Sequence, residues 1–266
     1  MEKTTFHSWI TSASSFDPDR LEQMKMEQFN REYKAATDYD CPKCGNKELI
    51  AFRREDGRCT LRECECRSVR RSIRLLKESG MESAVRELTF ERFQVRQPWQ
   101  ERLLELCRSY AAEPEGWLVL CGQSGSGKTH LCSAVCRELL LKGKAVRYMT
   151  WRADVTTLKR LATDAQRDAL VDSYKNAQVL YIDDLFKTGP GSDGQARPTA
   201  ADVNLAFEIL NHRYFNRMLT ILSTEKSPKE LLSIDEATGS RILERAGAHL
   251  YHIAPDTRKN YRLKDL

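Results

Sequence analysis

Apolar residues along the second half of this chain come in short runs separated by helical patterns. Trp117 to Cys121, Ala145 to Thr150, Gln178 to Asp183, Leu219 to Ser223 and His249 to Ile253 each have the length and composition of a strand. The segments between them repeat apolar residues at helical spacing. Strands alternating with helices in this way predict a five-stranded, mainly parallel sheet with helices on both faces, an α/β fold. A helix over Gln100 to Ala112 precedes the first strand, and Leu131 to Leu141 forms another after it. Thr199-Ala-Ala-Asp202 is a capping box that opens a helix over Ala200 to Asn216. In such a sheet, functional residues gather at the carboxyl ends of the strands.

The first half is more polar. Pro18 to Ala36 reads as a helix whose apolar face, Leu21, Met24 and Tyr33 with Met26 and Phe29 nearby, is too thin to fold alone. It packs on the neighbouring module or is kept for a partner. Leu49 to Phe52, returning through Asp56-Gly57 to Thr60-Leu61, has the pattern of a hairpin. After Cys66 a helix places Arg67, Arg70, Arg71, Arg74 and Lys77 on one face and Val69, Ile73 and Leu76 on the other, and Gly80 ends it. Such a face is either a solvated surface or a contact for nucleic-acid phosphates or an acidic partner. Leu88 to Pro98 reads as an extended linker.

Composition narrows the class. Of 266 residues, 41% are hydrophobic and 30% charged, and no apolar run approaches the ~20 residues of a membrane helix. The opening MEKTTFHSWITS lacks the apolar core of a signal peptide, so a cytoplasmic protein is expected. A net charge of +5 is only a weak hint of a polyanionic partner. Nine cysteines without an export signal point to buried or metal-bound thiols. Five of them crowd between Cys41 and Cys66. Cys41 with Cys44, and Cys64 with Cys66, bring sulfurs together in local pairs and are the expected ligands of a structural zinc, with Cys59 spare.

The most specific signal is Gly122-Gln123-Ser124-Gly125-Ser126-Gly127-Lys128-Thr129, followed by His130, which matches G-x-x-x-x-G-K-[ST] directly after a strand and before a helix. Its glycines let backbone N–H groups turn around an anion at the positive end of the helix. Lys128 is expected to reach the β- and γ-phosphates of ATP, and the Thr129 hydroxyl to hold Mg²⁺. The strand over Val179 to Asp183 ends in paired carboxylates. Asp183 suits Mg²⁺ held through water, and Asp184 suits orientation or deprotonation of the attacking water, or else a supporting or capping role. Aspartate reaches less far than glutamate, so weak hydrolysis is expected. The glycine-rich stretch Lys187 to Pro198 is a connector or an element that orders on substrate. Ser223, Thr224 and Glu225 stand at the end of the fourth strand as candidates to sense the γ-phosphate, with Thr224 the expected nucleotide contact. A helix with a Gly239-Ser240 start carries Arg241 and Arg245; Arg241 is the candidate to meet phosphate charge across a subunit boundary, the alternative being a surface ion pair. The organisation expected is a helical segment over 1–40, a zinc-binding module with a basic helix over 41–88, a linker over 89–98 and an ATPase domain over 99–266.

The runs ECECRSVRRSIR, GQSGSGKTH, VLYIDDLFK, FEILNHRY and LSTEKSPKELLSIDEATGSRILER together resemble the DnaC/DnaI family of AAA+ replicative helicase loaders, in the zinc-bearing version of Gram-positive bacteria and their phages. The resemblance spans about residues 41 to 262. It implies a five-stranded P-loop AAA+ core without a C-terminal lid domain, an N-terminal module that grips a DnaB-type hexameric helicase, and ATP-dependent assembly on single-stranded DNA with self-association through the ATP site. It assigns Gly122, Gly125, Gly127, Lys128 and Thr129 to the phosphate loop, Asp183 and Asp184 to metal and water, and Arg241 to the arginine finger. This sequence departs from the AAA+ pattern in lacking an Asn at the end of the fourth strand and an identifiable lid arginine. Rival readings are a transposition-helper ATPase on the same core, a small-molecule P-loop kinase with Asp183 or Asp184 as base, and a nucleic-acid-binding module in which ATP is purely structural.

Overall fold

The computed structural model describes residues 18–35, 39–78, 82–161, 163–188 and 197–261. Its contacts divide the chain into two compact units, residues 1–70 and 71–266. The expected roles of residues 1–17, Gly80, Arg262 and most of the glycine-rich stretch, 189–196, lie outside the described residues.

In the first unit, helix α1 covers Pro18–Arg31 and ends before the expected Ala36. The chain leaves it to pair elsewhere, the Lys34 N–H donating to the Gly45 carbonyl at 2.9 Å. Met24 and Tyr33, expected on the packing face, are exposed. Met26 and Phe29 instead line a groove with Ala51, Cys59 and Leu61. Asn30 ties the helix down by donating to the Ala51 carbonyl at 2.9 Å and accepting from its N–H at 3.0 Å. The hairpin forms as expected, strand β1 over Leu49–Arg53 antiparallel to β2 over Cys59–Glu63.

The basic helix α2 runs over Cys66–Glu78, and the division between units falls within it. Arg70 is not part of a free basic face. It is buried, and its Nη2 donates to the Tyr39 carbonyl and to Asn46 Oδ1, both at 2.8 Å. Arg67 pairs with Glu63. Helical spacing alone misplaced Arg70 because its partners lie 24 and 31 residues earlier.

The second unit continues with helices α3 (Glu82–Glu87) and α4 (Pro98–Ala112), strand β3 (Trp117–Gly122), helix α5 (Lys128–Leu141) and strand β4 (Val146–Thr150). Helices α6 (Trp151–Arg160) and α7 (Asp164–Lys175), strand β5 (Val179–Asp183), helix α8 (Ala200–Phe215) and strand β6 (Leu219–Thr224) follow. Helices α9 (Pro228–Ile234) and α10 (Glu236–Ala246) and strand β7 (Leu250–Ile253) complete the regular elements among the described residues, apart from two short 3₁₀ turns. The five strands form one parallel sheet in the order β4-β5-β6-β3-β7. Every residue of β3 and β5 is buried. Successive strand residues face opposite sides, so both faces of the sheet are covered. Trp117, Trp151, Leu180, Ile182, Ile209 and Leu222 belong to the core.

Two details correct the sequence expectations. Helix α10 does not start at Gly239-Ser240 but at Glu236, capped by Asp235, whose carboxylate accepts from the Thr238 N–H at 2.8 Å. Gly239 lies inside the helix because a Cβ there would sit 2.9 Å from the backbone of Leu231 in α9. The segment before α4 has no regular structure, and Phe90 within it is buried.

Candidate functional site

The loop Gly122–Gly127 leaves the carboxyl end of β3 and opens α5 at Lys128. Its glycines are needed for contact as well as for the turn. Gly122 has φ +119°, and a Cβ there would come within 2.1 Å of the Ile253 carbonyl on β7. Gly127 has φ +91°, and a Cβ would press to 2.8 Å from Phe93. The Gly125 carbonyl accepts from the Tyr261 N–H at 2.8 Å. Lys128 is buried, and its Nζ donates to the carbonyls of Gly122 and Gln123, both at 2.7 Å. Burial lowers the pKa of its ammonium, against the opposing pull of Asp184 and Glu225.

Asp183, at the end of β5, is nearly buried and surrounded by hydroxyls. Thr129 Oγ1 donates to Oδ1 at 3.1 Å, Tyr181 OH to Oδ1 at 2.6 Å and Tyr148 OH to Oδ2 at 3.1 Å, and Ser223 Oγ also donates to Oδ1. Burial, reinforced by the Asp183 charge, pushes both tyrosines well above their ordinary pKa and keeps them as donors. Cis oxygens around Mg²⁺ are about 3 Å apart, so the Thr129 and Asp183 oxygens suit that ion.

Asp184 then turns away with φ +57°. Its N–H donates to Ser223 Oγ and the Leu185 N–H to the Ser223 carbonyl, each at 2.9 Å, which locks the end of β5 to β6. Asp184 Oδ2 and Glu225 Oε1 share Lys187 Nζ, at 2.8 and 3.0 Å. Burial opposes the charge on Glu225, but Lys187, with Ser124 and Lys128, outweighs it and holds that carboxyl below its ordinary pKa.

These groups surround a cavity of about 470 Å³ lined by Ser124 through His130 together with Asp184, Lys187 and Glu225, a size that suits a small ligand. Leu88, Arg92, Phe93 and Gln94 close another side, with Tyr261. His130 hydrogen-bonds the Thr89 carbonyl at 2.8 Å and meets Phe93 edge-on at 5.3 Å. The supposed linker is therefore a wall of the site, which its sequence did not signal. Tyr181 was detectable, because it lies two residues before Asp183 and so on the same face of β5.

The structure brings the loop, Thr129, Asp183 and Asp184 together. Gly122 and Gln123 form the base of the loop, where Gln123 Oε1 accepts from the Asp256 N–H at 2.6 Å. Of the three residues at the end of β6, Glu225 lines the cavity, whereas Ser223 and Thr224 are fully buried. Thr224 Oγ1 donates to the Leu185 carbonyl at 2.7 Å. Arg241 does not line the cavity. It lies on α10 over the rings of Phe207 and Tyr214, at 5.3 and 5.5 Å, and donates to the Ala237 carbonyl at 2.6 Å.

In the first unit, the sulfurs of Cys41, Cys44, Cys64 and Cys66 all lie within 4.8 Å of one another and are buried. Cys41 and Cys64 are 3.8 Å apart and Cys44 and Cys66 3.4 Å. Tetrahedral Zn–S bonds of 2.3 Å place sulfurs about 3.8 Å apart, so the donor set and spacing suit a closed four-thiolate site. Cys59 is not in the cluster; its thiol faces Met26 Sδ at 4.0 Å.

Comparison with known proteins agrees with this architecture. The family model for IstB-like ATP binding proteins matches residues 24–266. The phage-like element PBSX protein XkdC of Bacillus subtilis (strain 168) is 33% identical over 225 residues, covering 81% of this chain and 82% of that protein. The replicative helicase loader DnaC of Escherichia coli (strain K12) is 26% identical over 206 residues, 75% of this chain and 79% of the relative. Among solved structures, DnaI superposes with a TM-score of 0.51 at 21% identity, covering 65% of this chain and 92% of that one. AMPPCP-bound DnaA from Aquifex aeolicus gives 0.51 at 20% identity, with 67% of this chain and only 53% of that one covered. Among the described residues, no helix is long and apolar enough to cross a membrane. The chain belongs to the IstB-like ATP-binding protein family, and its second unit is a P-loop AAA+ domain.

Proposed function

We propose that this protein is an ATP-dependent loader that binds a DnaB-type hexameric replicative helicase and deposits it on single-stranded DNA. The observation that carries the reading is the convergence of Lys128, Thr129 and Asp184 in one cavity, with Asp183 hydrogen-bonded to Thr129, in a chain related over three quarters of its length to a replicative helicase loader. Lys128 binds the β- and γ-phosphates of ATP. Thr129 and Asp183 hold Mg²⁺, which supplies charge neutralisation on those phosphates. Asp184 orients the attacking water, and its short reach makes hydrolysis slow until DNA or a partner assists. Arg241 serves the site of a neighbouring subunit, so that ATP controls self-association, assembly and release. Cys41, Cys44, Cys64 and Cys66 hold a structural zinc that shapes the helicase-binding module.

The test is size-exclusion chromatography of the protein with a hexameric replicative helicase, with and without ATP and single-stranded DNA. Co-elution that depends on ATP and is lost in Lys128→Ala is expected; absence of co-elution in every nucleotide state refutes the loader. One observation favours a second reading. The matched family model describes IstB-like proteins, so a transposition-helper ATPase on the same core would bind a transposase in the parallel experiment. ATPase activity stimulated by single-stranded DNA separates both from a small-molecule kinase. A loader also predicts trapped complexes for Asp184→Asn, which a purely structural role for ATP would not produce.

A further inference from the structure

Lys187 has no part in the reading above, yet its charge sits between two of the cavity's carboxylates. It lies four residues after Asp183, in the turn that leaves β5, and its Nζ is shared by Asp184 at 2.8 Å and Glu225 at 3.0 Å. Those carboxylates come from the ends of two neighbouring strands, β5 and β6. All three side chains line the same cavity as Lys128. They are partly exposed, at 36%, 28% and 35% for Lys187, Asp184 and Glu225, so water screens the two ion pairs and they add little to stability. Their consequence is for where charge is held.

The backbones of both carboxylates are fixed. The Asp184 N–H is bound to Ser223, and the residue before Glu225 is tied to the Leu185 carbonyl. Only the side chains can turn. An ammonium on a four-carbon stem is a compact point charge with rotatable donors, able to change partners without moving the chain. Two lysines and two carboxylates make this part of the cavity close to neutral, and a polyanion entering it competes with Asp184 and Glu225 for Lys187.

We propose that Lys187 is a phosphate-responsive clamp: it holds Asp184 against Glu225 and exchanges them for the terminal phosphate of a nucleoside triphosphate, leaving Asp184 free to face water. Lys187 is thus a positioning residue for Asp184, and it makes up for the absence of an Asn at the end of β6 in reading the third phosphate. The inference rests on the ATP-hydrolysis reading.

The experiment measures affinities of the full-length protein for fluorescent ATP and ADP analogues with Mg²⁺, in wild type, Lys187→Gln, Lys187→Arg and Glu225→Gln, with melting curves as a folding control. Wild type should prefer ATP. Lys187→Gln should lose roughly tenfold of the ATP-to-ADP preference, the size of one charge-assisted hydrogen bond, with ADP affinity little changed. Lys187→Arg should restore most of it. Glu225→Gln should raise the preference, because it removes a competitor for Lys187, whereas a merely structural ion pair predicts no gain. An unchanged ratio in Lys187→Gln, or a lowered or unchanged one in Glu225→Gln, overturns the clamp alone. Failure of wild type to bind ATP any better than Lys128→Ala overturns the clamp and the ATP reading together.

Discussion

Arg213 offers the sharpest quantitative test of how the site is supported. This arginine of α8 is fully buried. Its Nε donates to Thr220 Oγ1 at 2.9 Å, and Nη1 to the carbonyls of Tyr174, Lys175 and Ala177 at 3.0, 3.1 and 2.8 Å. Nη2 donates to the Leu219 carbonyl at 2.5 Å. The guanidinium therefore caps the last turn of α7 and joins it to the starts of β5 and β6, where Val179 and Leu219 are in register. Its fork of donors suits several converging acceptors, and the positive charge suits a helix C-terminus. Arg213→Met keeps the length and apolar stem but leaves four carbonyls without this partner. At the low end of the cost of an unmet buried acceptor, about 1 kcal/mol each, the loss is about 4 kcal/mol. Arg213→Lys can still bond some of the acceptors and should lose about 2 kcal/mol. Urea unfolding followed by far-UV circular dichroism measures both. A loss below about 1 kcal/mol for Arg213→Met, or equal losses for the two variants, refutes the reasoning.

Zinc held by the four thiolates as proposed should appear as about one zinc per chain by elemental analysis; Cys64→Ser should lose it and expose the first unit to proteolysis, since so small a module has little core without metal. Gly122→Ala should lower the melting temperature by about 5 °C or more, because the new Cβ meets the Ile253 carbonyl at a backbone conformation alanine rarely adopts. Glu225 has a folded-state pKa below its unfolded value of about 4.5, so its contribution is present above that pH and lost as pH falls through the folded value. Water screens the pair, so Glu225→Gln should be less stable than wild type at pH 7 by only about 0.5 kcal/mol or less, with the difference closing below about pH 4.5 in pH-dependent urea titrations.

Much of this site could be read locally. The phosphate loop, the strand ending in Asp183 and the paired cysteines are short patterns whose chemistry depends on neighbours in sequence. What escaped depends on distant partners. Phe93 looked like part of a linker because nothing near it says that its ring fills the space left by Gly127. Arg70 had the spacing of a solvated face, but Tyr39 and Asn46 draw it inward. Gly239-Ser240 looked like a helix start, while the true cap, Asp235, stands four residues earlier and the glycine answers to the backbone of Leu231. Lys187 opens a glycine-rich stretch whose sequence reads only as a connector or an element that orders on substrate. Its pairing with Glu225 requires β5 and β6 to lie side by side, which no local pattern of Lys187 reveals.

The order of the sheet also constrains how the protein is made. Strand β3, which carries the phosphate loop, finds its neighbours in β6 and β7, beginning about a hundred residues later in the chain. During synthesis from the N-terminus, the loop emerges long before either neighbour and must wait with both edges of its strand unpaired. A nascent chain arrested before residue 219 contains every residue of the phosphate loop together with Asp183 and Asp184. It lacks both neighbours of β3 and one of the two neighbours of β5. Competence to bind nucleotide should therefore arise late in translation, within the interval in which β6 and β7 leave the ribosome.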